Sequence, residues 1–333
     1  MEEKQNMNEK NVQQENDPFI GSLHALSPAD IDQKAPQQRS GTLIGRLVRV
    51  GALLLCGTVL VTSLSSVTAS LLEYKVADDY YDGLADLWDD VDADSQNPFG
   101  PVALANKSKA DSITPEYGIP ISTGPSEGVN ETDADSALML QIRAKLGALK
   151  VQNSDLLGWI TVPDTKIDYP VVHTVDNEYY LNHSFDRTFL RAGAIFADYR
   201  NKKDLSKNYN TVIYGHNMNS GSMFSCISDF FSRSYFNENR YVYIHTENGI
   251  YVYKTFSIRK IRVDKDVSYI TTYFANGQSF VEFCNEQMNA SAVKVDDITF
   301  NENDKIITLS TCTNAHNANE RYSMQAVRVE SQK

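Results

Sequence analysis

The pattern of apolar and polar positions changes four times along the chain. Residues 1–40 are rich in Glu, Gln, Asn and Lys and carry few large apolar side chains. Such a stretch buries too little surface to offset its ordering entropy, so a disordered tail is predicted through residue 49. From Val50 to Leu72 run 23 consecutive uncharged residues, among them Leu53, Leu54, Leu55, Val59, Leu60, Val61 and Leu64. About 20 residues of helix cross a hydrocarbon core. Thr and Ser dilute the segment, but neither flank offers a core to bury it, so residues 50–72 are predicted to be a transmembrane anchor. Residues 73–135 lose the pattern. Nine acidic side chains from Glu73 to Asp94 face the single Lys75, and Pro98, Pro101, Pro115, Pro120 and Pro125 follow. Like charges repel and Pro stiffens the chain, which predicts an extended stalk. A short helix at Tyr80–Val91, carrying Leu84, Leu87 and Trp88, is the one ordered element the pattern allows there.

Periodicity returns at Ser136. Leu138, Leu140, Ile142, Leu146 and Leu149 predict an amphipathic helix over Ser136–Lys150, with Asp133, Asp135 or Ser136 as cap. Short β-rich runs then dominate, separated by Gly, Asn and Asp clusters: Trp159–Val162, Tyr169–Val172, Ala194–Phe196, Thr211–Tyr214, Tyr241–His245, Ile250–Phe256, Lys305–Leu309 and Met324–Val329. One helix interrupts them at Gly277–Met288, with Phe280, Val281, Phe283, Cys284 and Met288 as its apolar residues. About eight short strands in ~200 residues predict a mainly β fold, a small barrel with a helix before it and another in a late connection.

Charge sharpens this division. The net charge of −12 comes from 31 basic and 43 acidic residues, but residues 1–72 carry −1, residues 73–135 carry −12 and residues 136–333 carry +1. The predicted barrel is nearly neutral and has no basic stripe, which argues against nucleic acid as partner. Arg39, Arg46 and Arg49 precede the apolar stretch and only Lys75 closely follows it. This asymmetry predicts a cytoplasmic N-terminus and an extracellular barrel, single-pass in the cell membrane. Val67-Thr68-Ala69 has the spacing of a signal-peptidase site, but the stretch starts too late and runs too long for a usual signal peptide, so an uncleaved anchor is the better reading.

Four cysteines are too few and scattered for a disulfide-stapled scaffold. Cys56 lies in the apolar stretch, while Cys226 and Cys284 sit among apolar residues that predict packed thiols. Cys312 differs, ending the run Lys305–Thr311 where a buried strand gives way to the polar Thr313-Asn314-Ala315-His316-Asn317. A thiol at a strand end can meet substrate and act as nucleophile. It needs a proton partner, and two histidines qualify. His216 is delivered through Gly215 from a strand, and His316 stands four residues past Cys312. Arg321 begins the next strand; if the two strands pair, it emerges at the same end as Cys312 and offers a permanent donor to an oxyanion. No G-x-S-x-G, H-E-x-x-H, C-x-x-C or phosphate-loop motif occurs. Asp296-Asp297 and Asp164/Asp168 are isolated acidic pairs, which are usually solvated. No residue cluster calls for a cofactor or metal.

Together these segments resemble the sortases, membrane-anchored cysteine transpeptidases of Gram-positive bacteria. Thr308-Leu309-Ser310-Thr311-Cys312 followed by Arg321 resembles the family's TLxTC…R signature, and Tyr214-Gly215-His216-Asn217-Met218 its histidine motif. Class B is the nearest match, through Gly158–Pro163, Ile167–Val172, Asp176–His183 and Gly221–Phe224. The resemblance covers residues 136–333 and leaves out the tail and stalk. It implies an eight-stranded sortase barrel and a catalytic set of Cys312, His216 and Arg321, choosing His216 over His316. It also implies that Asn177, Leu181, Tyr214, Tyr269, Ile270 and Ser310 line the signal groove.

The activity implied is cleavage of a C-terminal NPxTx-like sorting signal of surface proteins after Thr, through a thioacyl-enzyme. The acyl group passes to an amine of cell-wall peptidoglycan precursor. Pilin polymerisation onto a Lys is the alternative within the family, and a non-catalytic surface adhesin is the alternative outside it.

Overall fold

The computed structural model describes residues 43–90, 131–312 and 319–332. The chain divides into two compact units, Met1–Ser65 and Ser66–Lys333. Helix α1 (Leu43–Asp90) is the one described helix long and apolar enough to cross a membrane, with a mean hydropathy of 2.0 in its most apolar window. The expected apolar stretch lies inside it.

Within the second unit, α2 (Glu131–Gln152) precedes strands β1 (Leu156–Thr161), β2 (Asp168–His173), β3 (Ile195–Ala197) and β4 (Asn210–Gly215). A short helix α3 (Arg233–Glu238) leads to β5 (Tyr241–Thr246) and the long β6 (Gly249–Arg262). Helix α4 (Gly277–Asn289), β7 (Ile306–Cys312) and β8 (Glu320–Gln332) complete the fold. The strands close into one barrel in the order β1-β2-β3-β4-β7-β8-β6-β5. β2/β3 and β4/β7 are parallel and the other pairs antiparallel. A parallel pair needs a long crossover, and the segment between β4 and β7 supplies one, holding α3, β5, β6 and α4. The eight predicted strands and both predicted barrel helices are present. Helix α2 starts at Glu131, so Asp133, Asp135 and Ser136 fall inside its first turns instead of capping it. Asn276 caps α4 with a reciprocal capping box to Ser279.

The stalk expectation fails for residues 73–89, which continue α1 as helix. Ala77, Tyr81, Leu84 and Trp88 recur at helical spacing and are all buried against the barrel, whereas Asp79, Asp82, Asp86 and Asp89 are exposed. The apolar seam therefore finds a core, and the acidic side chains whose repulsion argued for extension are spread over the wet faces. Trp88 covers Trp159 of β1 and α2 also packs on that strand, so β1 is buried along its whole length instead of alternating. The rest of the predicted stalk up to residue 130 lies outside the described residues.

Candidate active site

β4 ends in Gly215, where a Cβ would lie 2.5 Å from Ile195 Cδ1 and 2.8 Å from the Phe224 ring. Glycine is thus required for the strand to close against its neighbours just before His216. Gly215 pairs with Thr311 in the parallel β4/β7 ladder, so the next residues, His216 and Cys312, leave adjacent strands at the same end. β8 returns antiparallel and sets Arg321 opposite Cys312. Three residues singled out in different parts of the sequence meet at one barrel edge. His316 lies outside the described residues.

His216 is half-buried, with its Nε2 2.7 Å from the Leu181 carbonyl oxygen. A carbonyl only accepts, so Nε2 carries the hydrogen in this contact. Arg321 is also half-buried and donates from Nη1 to the Glu320 carbonyl at 2.7 Å. A cleft of about 710 Å³, lined by Asp164, Lys166, Asn217, Met218, Cys226 and Tyr322 among others, includes the residues next to His216 and Arg321 in the chain.

The six expected groove residues fall into three groups. Leu181 belongs to the histidine, through its carbonyl. Tyr269 and Ser310 form a buried pair, hydroxyl to hydroxyl at 3.2 Å. Asn177, Tyr214 and Ile270 converge on two residues that the sequence reading passed over, Asp198 and Arg200. Asp198 Oδ2 accepts from Asn177 Nδ2 at 3.1 Å and from the Tyr214 hydroxyl at 2.8 Å. Arg200 grips the same carboxylate at 2.8 and 2.7 Å and donates to the Ile270 carbonyl at 3.1 Å. Burial alone would raise the Asp198 carboxyl, but the hydrogen bonds from Arg200 and Tyr214 outweigh it and hold it below the usual carboxylate range. Tyr214, half-buried and facing that carboxylate, is pushed above its ordinary value by desolvation and then by Asp198. The signal that marks this pair in sequence is slight: an Asp and an Arg two residues apart just past β3.

The remaining candidates have structural partners. Cys226 and Cys284 are free thiols, not a disulfide. Burial pushes the Cys226 thiol up to about 11, and burial also raises Cys284. His183 stacks on Tyr179 at 4.1 Å and contacts its carbonyl, while His245 is buried and lowered to about 4 by burial, then by Lys145. Asp297 binds Arg240 and Lys254, and Asp168 accepts from Trp159 Nε1 and Thr161 Oγ1. Among the described residues no three His, Cys, Asp or Glu gather as a metal site.

A barrel edge at which a strand-end cysteine, a histidine and an arginine hold neighbouring backbone positions has the parts of a cysteine acyltransferase. The sortase domain profile matches residues 160–329, half of the chain. Sortase B of Listeria monocytogenes is 37% identical over 176 residues, which cover 52% of this chain and 68% of that protein. A mutant form of Clostridium perfringens sortase B superposes with a TM-score of 0.55 at 34% identity, over 59% of this chain and 92% of that one. A Staphylococcus aureus sortase B–substrate complex superposes at 0.53 with 32% identity, over 60% and 92%. The chain belongs to the sortase family, in its class B. It is a transpeptidase of the kind that anchors surface proteins.

Proposed function

We propose that Cys312 is the nucleophile, His216 the proton carrier and Arg321 the oxyanion donor of a transpeptidase acting on a C-terminal NPxTx-like sorting signal. The Cys312 thiolate attacks the Thr carbonyl carbon, and the oxygen takes the negative charge beside Arg321 and nearby backbone N–H groups. The C–N bond then breaks as the imidazolium of His216 gives its proton to the leaving amine, leaving a thioester. The acceptor, an amine of the peptidoglycan precursor, attacks that thioester. It loses a proton to neutral His216, the C–S bond breaks, and a new amide forms. Asn177, Tyr214 and Ile270, held by Asp198 and Arg200, together with Leu181, Tyr269 and Ser310, line the groove for the signal. The cleft beside His216 provides room for an acceptor chain.

The observation that carries this reading is the strand register, with Cys312 opposite Arg321 and Thr311 beside Gly215. Arg39, Arg46 and Arg49, which precede the apolar stretch, support a cytoplasmic N-terminus with the barrel outside the cell. Turnover of a fluorogenic NPxTx peptide by the full chain in detergent tests it, wild type against Cys312→Ala. A thioacyl adduct on Cys312, seen by mass spectrometry, is the expected intermediate. Cleavage that survives Cys312→Ala overturns the assignment.

A further inference from the structure

The sortase match begins at residue 160, yet the end of α1 is docked on the barrel far upstream of it. We propose that residues 73–89 brace the two loops that hold His216, and that Tyr81 is a positioning residue for that imidazole. The inference rests on the assignment of His216 as the proton carrier.

Tyr81 is 3% exposed and touches both loops. On one side its hydroxyl donates to the Gly193 carbonyl at 2.6 Å. Gly193 has φ +60°, and a Cβ there would lie 2.4 Å from the Tyr180 carbonyl oxygen and 2.7 Å from that of Leu181. Backbone 193 is thus pressed against the carbonyl that receives His216 Nε2. Two more contacts from the same helix hold this loop: Tyr80 Oη accepts from Asp186 N at 3.0 Å, and Glu73 lies 3.4 Å from Arg191.

On the other side the Tyr81 ring meets Tyr169 edge-on at 5.5 Å. The Tyr169 hydroxyl accepts from the backbone N–H of Met223, a residue at φ 57° that bridges back to Asn217, immediately after His216. Ser220, in the same turn, donates to Asp78 of the helix at 3.2 Å. A left-handed backbone at a non-glycine residue persists only where its surroundings hold it. One helix therefore supports the loop that accepts from the imidazole and the loop that carries it. A small displacement of either changes the Nε2 contact and the placement of the imidazole.

The test uses the full chain in detergent, with Tyr81→Phe removing one oxygen and keeping the ring. About a fivefold fall in kcat is expected, the size of one lost buried hydrogen bond, with little change in KM. The acid limb of the pH–rate profile and the His216 ¹⁵N imidazole shift are expected to move with it. Asp78→Asn, on the second loop, is expected to give the same signature more weakly. Unchanged kcat and pH profile in Tyr81→Phe overturn the brace, as does a loss of rate accompanied by an unmoved His216 signal. His216→Ala is run alongside: full activity there refutes the proton-carrier assignment itself, a result distinguishable from failure of the brace.

Discussion

Trp88 lies flat on Trp159, with ring centroids 4.7 Å apart and planes within 1° of parallel. Lys145 of α2 stands over the outer tryptophan at 5.3 Å, and His245 meets it edge-on at 5.7 Å. The stack closes the barrel wall at β1 with a residue from a segment whose composition reads as a solvated spacer.

Trp88→Ala is expected to destabilise the second unit by roughly 3 kcal/mol, through lost burial and the cavity left behind. That corresponds to a Tm lower by about 6–12 °C. The chain's 2 tryptophans are the stacked pair, so the emission maximum of Trp88→Ala reports Trp159 alone and is expected to shift to the red. An unchanged Tm and emission would show that the helix does not cover β1 in solution.

His245 gives a pH signature. Its Nδ1 has no hydrogen-bond partner among the described residues, and burial followed by Lys145 lowers its pKa to about 4, against an ordinary value of about 6.5. Between those values the unfolded chain binds a proton that the folded chain refuses. Stability is therefore flat above about pH 6.5 and falls as pH drops toward 4, by about 3 kcal/mol at most. Urea unfolding at several pH values is expected to show this slope in the wild type and its loss in His245→Phe. A slope that persists in the variant assigns the effect to other groups.

His216→Ala is expected to lower turnover by at least a hundredfold, whereas His316→Ala keeps most of it. Arg321→Lys retains the charge and loses the planar fork, and a fall of about a hundredfold in kcat is expected. Equal losses at the two histidines, measured with the same peptide, would mean that the base is wrongly chosen.

Asp198→Asn removes the charge that holds Asn177, Tyr214 and Arg200 together. The groove is expected to loosen, raising KM for the signal peptide about tenfold with a smaller change in kcat. If kcat alone drops, Asp198 acts on the chemistry and not on the groove.

Desolvation raises the thiols of the half-buried Cys226 and the buried Cys284. Alkylation of the folded chain at pH 8 is expected to spare both and to label Cys312, as peptide mass spectrometry can read. Labelling of Cys226 at the rate of Cys312 would refute the assignment of the reactive thiol.

Local chemistry made much of this legible. The apolar stretch, the eight strand-like runs and the helix at Gly277 are short-range patterns, and all appear in the fold. The residue pattern singled out Cys312 and left His216 and His316 both open as its partner, and the resemblance of the Thr-Leu-Ser-Thr-Cys and Tyr-Gly-His segments to the sortases favoured His216. The pattern allowed a short helix at Tyr80–Val91, and the structure is helical there to Asp90. What it missed is that the helix runs unbroken from α1 and docks on the barrel, because its charge outweighs its seam when the segment is taken alone. Ala77, Tyr81, Leu84 and Trp88 become a face only when Trp159 and Tyr169 are there to meet it. Asp198 and Arg200 escaped notice for a similar reason, since their importance lies in Asn177, Tyr214 and Ile270, which are near them only in space.

The sequence by itself determined the residue chemistry and the local elements: a thiol at a strand end, a histidine after a glycine, an arginine beginning the next strand. The tertiary structure decided which of these meet. Parallel pairing of β4 with β7 across a long crossover, and antiparallel return of β8, are non-local backbone hydrogen bonds that no window of sequence contains. The same holds for the helix that closes β1, because burial is a property of two surfaces and the chain brings them together only on folding.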